Sequence, residues 1–293
     1  MRWKDLRRST NVVDRRGAGG MGGGRIIFPG GRGGRTAGIG GIGAIVLLLI
    51  ALFFGIDPSM ILGPGGVTAP ESSGPETPEE AEMRDFASAV LGDTETTWDQ
   101  IFAAQGSDYQ EPRLVLFSGA VQSACGFADA AVGPFYCPPD RQVYLDLSFL
   151  QELQHRLNAP GDFAAAYVIA HEVGHHVQNQ LGIMDKANEI RAGLGQEDSN
   201  ALSVRIELQA DCFAGIWANR AQTERSVLES GDIEEGLNAA AAVGDDRLQR
   251  RSQGYVVPES FTHGTSEQRV AWFNRGFENG SLDACNTFNT AAP

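Results

Sequence analysis

The sequence predicts a mainly helical α+β domain with a small sheet ahead of one long apolar helix, the whole preceded by a single transmembrane helix. Three observations carry that reading. A short apolar run, residues 113–117, and an alternating one, 142–147 (Val143, Leu145 and Leu147 against Tyr144 and Asp146), have the pattern of strands. From Leu150 onward the apolar residues recur at helical spacing. Ahead of both lies a run of 21 residues, Thr36 to Ile56, without a charge.

Residues 1–35 are basic and glycine-rich, with Gly19-Gly20-Met21-Gly22-Gly23-Gly24 among them. That composition predicts a disordered tail, free to touch anionic lipid headgroups. No Gly-x-x-x-x-Gly-Lys-Ser/Thr pattern occurs, so a phosphate-cradling loop is not expected. As a helix, residues 36–56 would reach about 30 Å, the thickness of a bilayer's hydrocarbon core. A cleaved signal peptide would have a shorter apolar stretch and an Ala-x-Ala-like site, which is absent. A buried soluble helix would need a polar face, and there is none. Residues 1–37 hold nine Arg or Lys against Asp5 and Asp14, and Asp57 follows the span. The bias predicts a single-pass membrane protein with a cytoplasmic N-terminus and an extracytoplasmic remainder. Residues 57–81, with Pro58, Pro64, Pro70, Pro75 and Pro78, predict an extended linker. Residues 82–293 are then the folded domain.

The basic tail, at a net +7, leaves −21 for the rest of a chain whose formal charge is −14. So acidic a domain repels phosphates, which argues against nucleic acid as a partner. Cys125, Cys137, Cys212 and Cys285 form no Cys-x-x-Cys pair, so a structural zinc site is not expected. Outside the cytoplasm they predict two disulfides, with buried free thiols as the alternative. Of the three pairings, 125–137 with 212–285 is favoured, because the first closes a local loop.

Within the domain, helices are predicted over 82–91 and 98–104, then the two strands, then helices over 148–157, 162–181, 199–224, 233–251 and 265–278. Asp162 and Ser199 stand at N-cap positions, and Gly182 is a C-terminal stop.

The helix over 162–181 carries His171-Glu172-Val173-Gly174-His175. Residues four apart project from one helical face, so both imidazoles can reach one zinc ion at about 2.0–2.1 Å. Glu172 stays beside that ion, placed to take a proton from a bound water and return it to a leaving amine. The preceding Phe163 to Ala170 is apolar and free of Pro and Gly, as a buried helix requires. Those eight residues are too few to cross a bilayer. A catalytic zinc needs a third protein ligand and an open position. Glu207 in Arg205-Ile206-Glu207-Leu208-Gln209-Ala210-Asp211-Cys212 is the candidate. Asp211, one turn on, can accept the outer N–H of a ligand imidazole. A solvated acidic face is the competing reading, but Ile206, Leu208, Phe213 and Trp217 surround the pair. His263, at the entrance of the last helix, is a candidate donor to an oxyanion. Arg269 and Tyr255 are weaker candidates for ordering the same region. His176 and His155 are given no role in the chemistry.

These segments resemble the neutral zinc metallopeptidases of bacteria. The likeness runs over nearly the whole chain: residues 7–17 (Arg-Arg-Ser-Thr-Asn-Val-Val-Asp-Arg-Arg-Gly), the apolar span, His171–Gln178, Glu207–Ala214 and Phe261–Phe273. The Glu207-x-x-x-Asp211 spacing is also similar to that of the gluzincins. The resemblance implies one zinc ion on His171, His175 and Glu207, with Glu172 as base and Asp211 behind a ligand. It implies a zincin-like fold whose sheet, supplied by residues 113–147, binds a peptide or protein substrate as an added strand. The expected activity is that of a metalloendopeptidase. The alternative is an inactive cell-surface binding or assembly module with a structural metal, which would need a fourth protein ligand.

Overall fold

The computed structural model describes residues 1–16, 76–129, 132–155 and 157–289. The predicted span over 36–56 lies outside them, as do residues 17–35 and most of the linker. Among the described residues, no helix is long and apolar enough to cross a membrane.

The strands are β1 (Val12–Asp14), β2 (Arg113–Phe117), β3 (Ala120–Ser123), β4 (Gly126–Asp129), β5 (Phe135–Cys137) and β6 (Gln142–Asp146). Four of them form a sheet in the order β1-β2-β6-β5. β1, β2 and β6 run parallel, and β5 is antiparallel to β6. Parallel strands are covered on both faces, so they read as continuous apolar runs. Leu114 to Phe117 are accordingly all buried. β3 and β4 make a separate hairpin, tied to β5 by the Cys125–Cys137 disulfide. The second predicted bridge, Cys212–Cys285, is also present.

The helices are α1 (Pro78–Ala104), α2 (Leu147–His155), α3 (Asp162–Gln180), α4 (Ile183–Arg191), α5 (Gln196–Arg225), α6 (Asp232–Ala242), α7 (Asp245–Gln253) and α8 (Ser266–Asn279). The mainly helical α+β reading therefore stands, with several corrections. The two short helices expected over 82–104 are one, and the expected linker gives way to helix at Pro78. Thr77 and Glu80 close a capping box at its start. Gly92, within this helix, makes room for the N-terminal segment: a Cβ there would lie 2.6 Å from the Arg7 carbonyl oxygen. The helix expected over 233–251 is divided at Gly244, where extended backbone packs against Ser266. α4 was not predicted; it begins at Gly182, which adopts the left-handed conformation expected of a stop.

The largest correction concerns residues 1–16. A disordered tail was expected, yet they lie along the domain and add an edge strand to its sheet. Val12, Val13 and Asp14 pair with Leu114, Val115 and Leu116. Trp3 is buried edge-on against Phe86. The side chain of Glu95, wholly buried, accepts hydrogen bonds from Arg7, Ser9 and Asn11. A buried carboxylate needs such partners, so the basic residues of this segment serve the fold.

Candidate metal centre

α3 is buried at every position from Phe163 to Gln178, which places the histidine motif in the middle of the molecule. It packs on α5 at Gly174, where a Cβ would meet the Ala210 carbonyl oxygen at 3.0 Å. That close approach brings Glu207 and Asp211 beside His171 and His175. On the other side, the Tyr136 hydroxyl of β5 lies 3.0 Å from His176 Nδ1 and accepts from Asn179 at 2.9 Å. The sheet and α5 thus flank the motif helix.

His171, His175 and Glu207 could hold a metal ion: one ligand atom from each lies within 4.8 Å of the others. His171 Nε2 stands 3.1 Å from Glu207 Oε2, and His175 Nε2 stands 3.4 Å from Glu207 Oε1. Donors around an ion held tetrahedrally at about 2.0–2.1 Å stand about 3.3–3.4 Å apart; His175 stands at that distance from one Glu207 oxygen, and His171 is slightly closer to the other. Both outer ring nitrogens are anchored. His171 Nδ1 meets Asp211 Oδ1 at 2.8 Å, and His175 Nδ1 meets Gln178 Oε1 at 2.9 Å. This leaves the two Nε2 atoms facing a common point, the arrangement that fixes a ligand tautomer.

The electrostatics suit a cation. Burial works against charge on His171, but the Asp211 carboxylate outweighs it, and the pKa rises to about 10. Burial is likewise outweighed at His175, which Glu207 pushes up. Glu207 is held well below its ordinary value by the two imidazoles, against the cost of burial.

Asp211 is the node behind the site. Besides His171 it takes a hydrogen bond from the Tyr167 hydroxyl, and Arg269 grips both its oxygens at 2.8 and 2.9 Å. Burial would raise its pKa, yet Arg269 and His171 lower it to about 2. Arg269, expected only as a weak helper near His263, therefore acts on Asp211.

His263 lies near enough to Glu207 for its charge to be felt there. Its Nδ1 stands 3.2 Å from Asp245 Oδ1, and its side chain is half exposed. The other Asp245 oxygen accepts from the backbone N–H groups of Thr262, His263 and Gly264. Burial lowers the His263 pKa, but the bond to Asp245 and the charge of Glu207 leave it raised. Glu172 is buried beside the histidines and has no hydrogen-bond partner among the described residues. Tyr255 is exposed, away from these contacts, and His155 is exposed at the end of α2.

Sequence reasoning missed Asp245, Gln178 and Tyr167. Gln178 and Tyr167 sit three and four residues from the motif histidines on the same helix, so helical spacing could have found them. Asp245 gave no local signal, because it fell inside a segment expected to be continuous helix. A second acidic group, Asp162, Asp232 and Glu235, surrounds the Met1 ammonium, which lies 2.8 Å from Asp162 and 3.3 Å from Asp232.

The chain is 48% identical over 291 residues to the protein of Escherichia coli K12 named "Uncharacterized protein YpfJ", covering 98% of this chain and 99% of that one. It is 37% identical over 256 residues to "Uncharacterized protein Rv2575" of Mycobacterium tuberculosis H37Rv, covering 82% of this chain and 86% of the relative. No solved structure matches. The profile of the family described as "Putative neutral zinc metallopeptidase" matches residues 1–288, and the chain belongs to that family.

Proposed function

We propose that the chain is a membrane-attached, extracytoplasmic zinc-dependent endopeptidase. The observation that carries the reading is the convergence of two Nε2 atoms and a carboxylate, with Glu172 buried beside them and its charge felt at His175. No fourth His, Cys, Asp or Glu joins that group among the described residues, which favours an open catalytic site over a closed structural one. Residues 36–56 supply the membrane attachment, and the two disulfides support a place outside the cytoplasm.

His171, His175 and Glu207 hold the ion, and Asp211 and Gln178 fix the imidazoles. Zinc, when bound, polarises the scissile carbonyl and lowers the pKa of water to about 7. Glu172 takes the proton of the attacking water and passes it to the leaving amine. His263, its ring held by Asp245, donates to the oxygen on which charge develops. The sheet has two edge strands, β1 and β5, and the substrate strand adds along β5, the edge that borders α3.

The test compares the zinc-loaded full chain with its Glu172→Gln variant on an unfolded protein substrate. Loss of a general base should cost about 10²–10⁴ in kcat with zinc content unchanged. Undiminished cleavage by the variant would remove Glu172 from the mechanism, and no cleavage by either would favour a binding module.

A further inference from the structure

Six of the nine basic residues that predict a cytoplasmic N-terminus lie within residues 1–16. Five of these pair with carboxylates: Arg2 with Asp5, Lys4 with Glu82, Arg7 with Glu95, Arg8 with Asp85, and Arg16 with Asp14 and Glu76. Their charge therefore has a use within the domain. The last of these contacts fixes the geometry of everything between. Arg16 and Glu76 stand 2.6 Å apart, so the chain leaves the domain and returns to it at one point. Arg84 holds the same junction, 2.9 Å from Glu76 and 3.9 Å from Asp14.

Between those points lie residues 17–75, whose sequence has one run, 36–56, long enough to cross about 30 Å of hydrocarbon. The flanks cannot supply a second crossing. Residues 17–35 carry three arginines, and 57–75 are broken by prolines. A single crossing would put Arg16 and Glu76 on opposite faces of the bilayer, which their contact forbids. We infer that residues 1–16 lie on the same side of the membrane as the folded domain they pack against. With both disulfides formed, that side is extracytoplasmic. Basic residues on this side are compatible with insertion because five of the six are paired with carboxylates in the folded domain. The inference uses the membrane reading of residues 36–56 but not the peptidase reading.

The test is sidedness in the expressing cell, using the full chain. Lys4→Cys and Glu278→Cys, both at exposed positions, are treated separately with a membrane-impermeant maleimide before and after permeabilisation. Equal labelling of the two before permeabilisation is expected. Labelling of Glu278→Cys at once, and of Lys4→Cys only after permeabilisation, would overturn the inference. Should either variant fail to accumulate, the unaltered chain can be treated in membranes with a zero-length carbodiimide. A mapped Lys4–Glu82 cross-link, from groups 3.1 Å apart, supports docking, and modification of each without a link overturns it. Carbonate extraction separates the two readings: a chain recovered in the soluble fraction ends the anchor, while equal labelling still upholds one-sidedness.

Discussion

Arg269 is buried, and its charged partner there is Asp211, with the Tyr167 hydroxyl and the Val243 carbonyl taking further bonds. The guanidinium fork matches both carboxylate oxygens, and its charge balances an acid that must stay ionised to hold His171. Arg269→Met should therefore strand a buried carboxylate and cost about 3–5 kcal/mol of unfolding free energy in urea. Zinc affinity, read by chelator competition, should fall with it, and Arg269→Lys should restore part of both. Unchanged zinc affinity in Arg269→Met would detach Arg269 from the site. His176 makes a different prediction. Burial, only partly offset by its bond to the Gln110 carbonyl, lowers its pKa to about 4, whereas an unfolded chain's imidazole titrates near 6.5. Between those values the unfolded state binds more protons, so stability is lost as pH falls from about 6.5 towards 4. The loss attributable to this one group approaches about 2–3 kcal/mol by pH 4.5. His176→Gln, which takes up no proton, should show a correspondingly smaller drop in urea midpoint between pH 7 and 4.5. An equal drop would assign the pH sensitivity elsewhere. Legibility at this scale followed locality. The two histidines and Glu172 share one helical turn, and Glu207 and Asp211 share another, so spacing alone exposed them. Asp245 reaches His263 only through a tertiary turn, which no helical period encodes.

Elements were legible where burial is uniform or alternation clean, and illegible where a close approach sets the backbone. β2 and α3 are apolar because they are covered, so composition revealed them, while β6 showed through its alternation. The break at Gly244 and the continuity through Gly92 depend on what packs there, Ser266 and Arg7, and both are distant in sequence. The same logic separates two glycines of the site. At Gly174 a Cβ would meet the Ala210 carbonyl at 3.0 Å, while at Gly276 it would fall 1.9 Å from the Cys212 carbonyl. Gly174→Ala gains about 1 kcal/mol of helix propensity that offsets a small forced separation of α3 from α5. Its stability should thus change little while zinc affinity falls, because the two halves of the ligand set sit on those two helices. Gly276→Ala has no such compromise: α8 must leave α5, and the loss should reach or exceed the about 1–3 kcal/mol usual for an overpacked core. Thermal unfolding and zinc titration on both variants check the ordering. A Gly276→Ala protein as stable as the parent would show that α8 does not hold the distance described.

The docking of residues 1–16 makes the domain discontinuous in sequence, and this was the least legible feature of all. A short basic segment next to a glycine run has the composition of a tail, and only the acids of α1 reveal its destination. The consequence is testable in the domain itself. A chain starting at residue 76 exposes the edge of β2, uncovers Phe86, and leaves Glu95 buried without Arg7, Ser9 or Asn11. Stranding that carboxylate alone should cost about 3–5 kcal/mol, before any apolar area is counted. Glu95→Gln in the shortened chain should recover part of this loss, because an amide is cheaper to bury than a charge. In the full chain the same substitution should destabilise, since there the carboxylate has its partners. Opposite signs in the two backgrounds would isolate the coupling between Glu95 and residues 1–16, as a double-mutant cycle does. A synthetic peptide of residues 1–16 should then raise the melting temperature of the shortened chain in proportion to the logarithm of its concentration, because it binds only the folded form. If Glu95→Gln changes both chains alike and the peptide has no effect, residues 1–16 contribute nothing to the fold, and Glu95 must be satisfied from within the domain.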